Sequence, residues 1–223
     1  MALIKFISLA AFPLLQVAAG GAPTNTTTRA SLGQSVCLAQ LNTARTDAGL
    51  TAFSSMPSEK SLAAFSDNDN LSDNSLLKPV CSALLHGDVQ PQVAASAMLP
   101  KLDGTAAFLP LQSSNPECSA SVQTFKAGYL NFGAIPPKFT EETRNVYTDP
   151  ANLSFIALYN PGSDPKADCR VVTCTQETTV QTPQQQMTGQ QDQGTEAGTK
   201  KTAHALLCLT TPKALQEGKA PFT

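Results

Sequence analysis

The stretch Ala167-Asp168-Cys169-Arg170-Val171-Val172-Thr173-Cys174-Thr175 sets the architecture expected of this chain. Val, Thr and Cys dominate it, and side chains branched at Cβ pack well on a pleated, half-buried surface. It therefore reads as a β-strand. Side chains alternate between the two faces of a strand, so Cys169 and Cys174, an odd number of positions apart, project to opposite faces and should reach different partners. Upstream, Asn160-Pro161-Gly162-Ser163 has the composition of a turn, and Leu153 to Tyr159 is a compact apolar run. Together they predict a hairpin made of the 153–159 run, the turn and the 169–175 strand. Ala205 to Thr210, which carries Cys208, supplies another strand.

Further upstream the period changes to that of helices. Cys37, Leu41, Ala44 and Ala48 recur at helical spacing with Val36, Leu38 and Arg45 alongside, and Gly49-Leu50 has the form of a helix stop. Pro79 suits the first position of a short helix through Val80, Cys81, Leu84 and Leu85, which Gly87 would end. Pro91 to Leu99 is an Ala-rich helix candidate. Cys118, Val122, Phe125 and Tyr129 mark a second strong helix, closed before Pro136-Pro137. Thr105 to Leu111 is expected to be a short strand that Pro110 confines to a sheet edge. Ser66 to Asn70 is polar and reads as a loop. Gln176 to Lys201 holds eight Gln and three Gly and reads as a long low-complexity loop joining two strands. Helices followed by antiparallel strands predict an α+β domain whose helices pack on a sheet.

The ends of the chain have their own signatures. Lys5, an apolar run from Phe6 to Val17 and the small pair Ala18-Ala19 read as a secretory signal peptide over residues 1–19. Residues 20–30 are expected to form a flexible polar leader, the domain to span 31–212, and 213–223 to be a polar tail. That tail lacks the hydrophobic end of a lipid-anchor signal. The mature protein is accordingly expected to be freely secreted, or an ectodomain cut before its anchor. Cys37, Cys81, Cys118, Cys169, Cys174 and Cys208 all follow the signal peptide, and an even number on a secretory route favours three disulfides. The fifteen possible connectivities stay open on sequence. The expected set is Cys37 with Cys174, Cys81 with Cys208 and Cys118 with Cys169.

Composition excludes some classes of function. Fifteen basic against 17 acidic side chains in 223 residues give a net charge of −2, which suits neither a phosphate backbone nor an anionic membrane. Nucleic acid is not an expected partner. The two histidines, His86 and His204, lie in no H-E-x-x-H or H-x-x-E-H arrangement, and no G-x-S-x-G elbow occurs. No C-x2-C pair is present either, so neither a metal nor a cofactor is expected and no catalytic residue is assigned. Glu141 and Glu142 beside Arg144 read as an exposed charge run. Asn25, Asn70 and Asn152 each begin an N-glycosylation sequon.

Two resemblances add to this reading. The helix from Leu38 to Leu50 resembles the opening helix of the CAP superfamily of cysteine-rich secretory, antigen 5 and pathogenesis-related proteins. Val80-Cys81, Asn115-Pro116-Glu117-Cys118, Phe155 to Pro161 and above all Ala167 to Thr175 resemble the Eimeria-type surface antigens of coccidian parasites, over about residues 31–212. The resemblance implies a CAP-like three-layer α-β-α sandwich with an antiparallel sheet, stabilised by disulfides. It also implies glycosylphosphatidylinositol tethering, display on the invasive stage and a non-enzymatic role in attachment and immune exposure. The implied partners are a host-cell surface protein or glycan and host antibodies. The chain departs from the CAP pattern in that Gln40 and Leu41 stand where a CAP helix would carry its His. A secreted module that holds a lipid or sterol between helices and sheet is the alternative.

Overall fold

The structure, a computed structural model, describes residues 24–65, 71, 75–86, 103–180 and 198–222. In chain order it contains β1 (Thr24–Ser35), α1 (Leu38–Asp47), β2 (Ser54–Ser55), 3-10 turns at Ser58–Lys60 and Leu62–Phe65, α2 (Lys78–His86), β3 (Thr105–Leu111) and α3 (Cys118–Ala127). These are followed by 3-10 turns at Gly128–Asn131 and Arg144–Thr148, then α4 (Pro150–Tyr159), β4 (Lys166–Val180) and β5 (Thr199–Thr211). The main sheet order is β1-β4-β5-β3, and every neighbouring pair in it is antiparallel. The two residues of β2 pair in parallel with the start of β4, Ser54 against Lys166 and Ser55 against Ala167, where β1 no longer reaches.

Strand β4 organises both layers. Its odd-numbered residues Ala167 and Cys169 enter a core shared with Leu41 and Ala44 of α1, Val122 and Phe125 of α3, and Ala157 and Leu158 of α4. Its even-numbered Val172 and Cys174 enter a second core with Val80, Cys81 and Leu85 of α2. Strand β5 alternates in step, with Leu206 and Cys208 on the first face and Ala205, Leu207 and Leu209 on the second. Helices thus cover both faces of an antiparallel sheet, in an α+β domain.

The disulfides are Cys37–Cys118, Cys81–Cys174 and Cys169–Cys208. Cys169 and Cys174 lie on opposite faces of β4, as expected, but all three expected pairings are corrected. Cys169 lies directly across from Cys208 in the β4–β5 ladder, a contact that only the register creates. Cys174 meets Cys81 because α2 covers that face. The remaining bridge ties Cys37, the residue before α1, to Cys118, the first of α3.

Helix α4 is the second correction, since residues 153–159 were expected to be a strand. Asp149 caps its start by accepting from Ala151 N at 2.8 Å, and Pro150 occupies the first turn, where its missing N–H costs nothing. The run shows no helical stripe because α4 is enclosed. Ala157 and Leu158 face the sheet, while Leu153 and Ile156 face a third cluster with Tyr147 and Leu215. A short apolar run buried on every side carries no periodicity to separate helix from strand. Ser154 Oγ of α4 accepts from Phe108 N of edge strand β3 at 3.2 Å, so the helix also covers a sheet edge. Gly128 permits the close crossing of α3 and α4: a Cβ there would lie 2.2 Å from Ala151 O.

Other boundaries move as well. Residues 24–30, expected to be flexible, belong to β1, whose threonines pair with 174–180. The expected loop at 176–201 is strand at both ends, through Val180 and from Thr199, and its middle lies outside the described residues. The helix expected at 91–99 and the loop at 66–70 also lie outside them. Residues 213–222 are not a loose tail: Leu215 is buried, Lys219 O accepts from Phe139 N at 2.9 Å, and the Phe222 ring stands 5.5 Å from that of Phe155. The helices near 38–47, 78–86 and 118–127, and the edge strand β3, match expectation.

Arg45 is the most demanding group in the interior. It is 1% exposed, and its guanidinium lies 4.0 Å from the centre of the Phe53 ring. Nε donates to Thr51 O at 2.7 Å, and an NH group donates to Leu158 O at 2.7 Å and Asn160 O at 3.0 Å. The last two are carbonyls at the C-terminus of α4, the negative end of a helix dipole. Burial pulls the Arg45 pKa below its usual value, though a guanidinium stays charged in proteins. Arg45→Met should cost about 2–4 kcal/mol in urea unfolding with disulfides intact, because it orphans carbonyls at two chain segments. Arg45→Lys should recover less than half of that, since an ammonium lacks the planar fork.

Tyr147 supplies a pH-dependent test. It is buried, its hydroxyl donates to Pro137 O, and burial pushes its pKa up to about 12. An unfolded tyrosine titrates near 10. The folded state therefore keeps a proton that the unfolded state loses, and stability present below pH 10 should fall as pH rises toward 12. Tyr147→Phe should flatten that decline in urea unfolding measured across the window.

Candidate functional site

The residues singled out on sequence do not converge. His86, at the end of α2, lies on one face of the sheet, with Nε2 3.5 Å from the Gln176 amide. His204 of β5 lies on the other face, its Nδ1 3.0 Å from Thr173 Oγ, the residue directly across the ladder. The six cysteines are all consumed in bridges. Among the described residues no three His, Cys, Asp or Glu side chains form a group fit to hold a metal.

The sequons fare differently from one another. Asn25 is exposed on edge strand β1. Asn70 lies outside the described residues. Asn152 sits in the first turn of α4, 5% exposed, with Nδ2 donating to Val146 O at 2.8 Å and Oδ1 accepting from Asn131 at 2.7 Å. Its amide is committed to holding the 131 and 146 segments against α4, which leaves no room for a glycan. The charge run near 141–144 is exposed: Arg144 bridges Glu141 at 3.2 Å and Glu217 at 3.3 Å, which ties it to the C-terminal segment.

Several clefts open between elements on the described surface. One of about 170 Å³ lies between α1 and α3 and carries Asp47 and Lys126. Another of about 200 Å³ lies between the 160–162 turn and the 212–221 segment. A third, of about 360 Å³, opens on the other side of Pro212 and receives Lys60, Lys166 and Lys213 together with Asp103 and Asp164. Lys166 and Asp164 pair with each other.

The predicted turn holds Pro212, which the 200 Å³ and 360 Å³ clefts share. Asn160 Nδ2 donates to Pro212 O at 2.5 Å, and its Oδ1 accepts from Gly162 N at 3.0 Å. Gly162 is required, because a Cβ there would lie 2.4 Å from the Pro212 ring. Thr105 Oγ accepts from Ala214 N at 2.8 Å, one residue beyond Lys213. Sequence reasoning found the turn but not the cleft, since Lys60, Asp103 and Lys213 come from segments far apart in the chain. Elsewhere, the exposed large apolar side chains of the described surface, Tyr129 (57%), Leu130 (66%) and Ile135 (78%), gather in one short connection after α3.

Comparison with known proteins gives this geometry a context. The chain is 30% identical to the sporulated oocyst TA4 antigen of Eimeria tenella over 234 residues, covering all of this chain and 82% of that protein. No solved structure matches. The family model of the sporozoite surface antigen (SAG) protein domain matches residues 33–223, which takes in α1, every cysteine and the packed C-terminal segment. The chain belongs to the sporozoite surface antigen family.

Proposed function

We propose that this protein is a displayed, non-enzymatic surface antigen that contacts host cells and is seen by host antibodies. The observation that carries the reading is the family match over residues 33–223, which takes in all of the fold but the start of β1. The separation of His86 and His204 by the sheet supports the non-enzymatic part, because a base, a nucleophile and an orienting group must lie within hydrogen-bond reach of one another. Residues 1–19 serve as its signal peptide, and a lipid anchor is the means of display. The helices on both faces of the sheet support a CAP-like layering, in a version adapted to being touched.

The three bridges join α1 to α3, α2 to β4 and β4 to β5, so surface shape depends on all of them. Sera raised against the folded domain should lose about tenfold or more of their titre after reduction and alkylation, since unfolding destroys epitopes assembled from distant segments. Soluble domain should bind host epithelial cells saturably in flow cytometry. A signal no higher than that of an unrelated disulfide-bonded domain would remove the attachment role. Secretion from eukaryotic cells should place an N-glycan on Asn25 and none on Asn152, as read by peptide mapping after glycosidase treatment.

A further inference from the structure

The cleft of about 360 Å³ combines features that point to a definite ligand chemistry. Its cations are Lys60, Lys166 and Lys213, and its anions are Asp103 and Asp164. Lys166 and Asp164 neutralise each other. Among the described residues Lys60 and Lys213 have no carboxylate partner, and Asp103 has no cationic one. The cleft thus offers two uncommitted ammonium groups and one uncommitted hydrogen-bond acceptor. Met56, Pro57 and Pro212 add apolar surface beside them.

We propose that this cleft binds an acidic sugar residue, carboxylated or sulfated, on the host-cell surface. The two free lysines meet the acid group, Asp103 accepts from ring hydroxyls, and the proline surface receives the apolar face of the ring. A volume of about 360 Å³ is at the small end of ligand sites and suits one or two sugar rings. The charge balance explains the selectivity: a neutral sugar would leave both ammonium groups without a partner, and a long polyanion would meet Asp103. Pro212 is held in place before binding, because Asn160 donates to Pro212 O and Arg45 in turn holds Asn160 O, which lowers the ordering that opposes association. The freedom lies in the two lysine side chains, whose flexible stems let each head group follow the acid.

The proposal rests on the host-contact reading for its setting, and its test is independent of that reading. Isothermal titration of the secreted domain would use 3′-sialyllactose, a sulfated heparin-derived disaccharide, lactose and inorganic sulfate. Binding to either acidic sugar, at least about tenfold tighter than to lactose or to sulfate alone, is the expected result, because charge-assisted contacts and ring contacts must act together. The two acidic probes then distinguish a carboxylated from a sulfated source. Lys60→Ala/Lys213→Ala should weaken that binding about tenfold or more, while exposed Lys138→Ala should leave it unchanged, with circular dichroism checking that each variant folds. Equal affinity for lactose or for sulfate, no binding to either acidic sugar, or an unaffected double variant would overturn the proposal. Sugar binding without cell attachment would sink the host-contact reading and leave the cleft standing. Attachment without sugar binding would do the reverse.

Discussion

Everything in this fold depends on β4 being buried on both faces. A strand with one wet face tolerates a helical layer on the other side only, but β4 sends Ala167 and Cys169 into one core and Val172 and Cys174 into another. A register slip of one residue would exchange the two sets and break both the Cys169–Cys208 and the Cys81–Cys174 bridges. The buried Asp168 reinforces the register from within. It accepts from Leu62 N at 2.9 Å and from Arg170 Nε at 2.8 Å, while Arg170 reaches Gly33 O of β1 at 3.0 Å. One carboxylate thereby ties a 3-10 turn to the central strand, and its guanidinium partner ties that strand to the sheet edge.

Arg45 extends the same order to the surface. A guanidinium is a costly group to bury, and here it is satisfied by carbonyls from its own helix exit and from the end of α4. Because one of those carbonyls belongs to Asn160, the charge also holds the turn that ends at Ser163 on the cleft of about 360 Å³. Core packing and surface shape are therefore linked through two side chains, Arg45 and Asn160. The bridges act alongside them by limiting the unfolded chain. A surface antigen with few charged residues gains a fixed outline from this arrangement without a large electrostatic field.

Several elements were legible because their signals are local. Helices α1 and α3 each leave one side to solvent, so their apolar residues recur at helical spacing. Pro110 announces the edge position of β3, since proline cannot donate to a ladder. Helix α4 was misread for the opposite reason, as enclosure on all sides erases the stripe. Strand β1 was missed because its threonines and Arg29 are polar and at most half-buried, and its pairing partners, residues 174–180, lie far along the chain. The C-terminal segment was underestimated because Leu215 and Phe222 are isolated among polar neighbours, yet both land on the cluster behind α4.

Composition and local pattern were enough to establish that β4 is a strand with its sulfurs on opposite faces and that 160–163 turns. They also predicted three of the helices and a chain whose six cysteines suit cross-linking. These properties follow from backbone geometry over a few residues, which the sequence carries directly. Tertiary structure alone decided which sulfurs meet, that 150–159 is a helix, that Asn152 is sealed in while Asn25 stays open, and that Lys60 and Lys213 share a cleft with Asp103. Each of these depends on where distant segments come to rest, and that is settled by the packing of whole faces against one another, a quantity no local window contains.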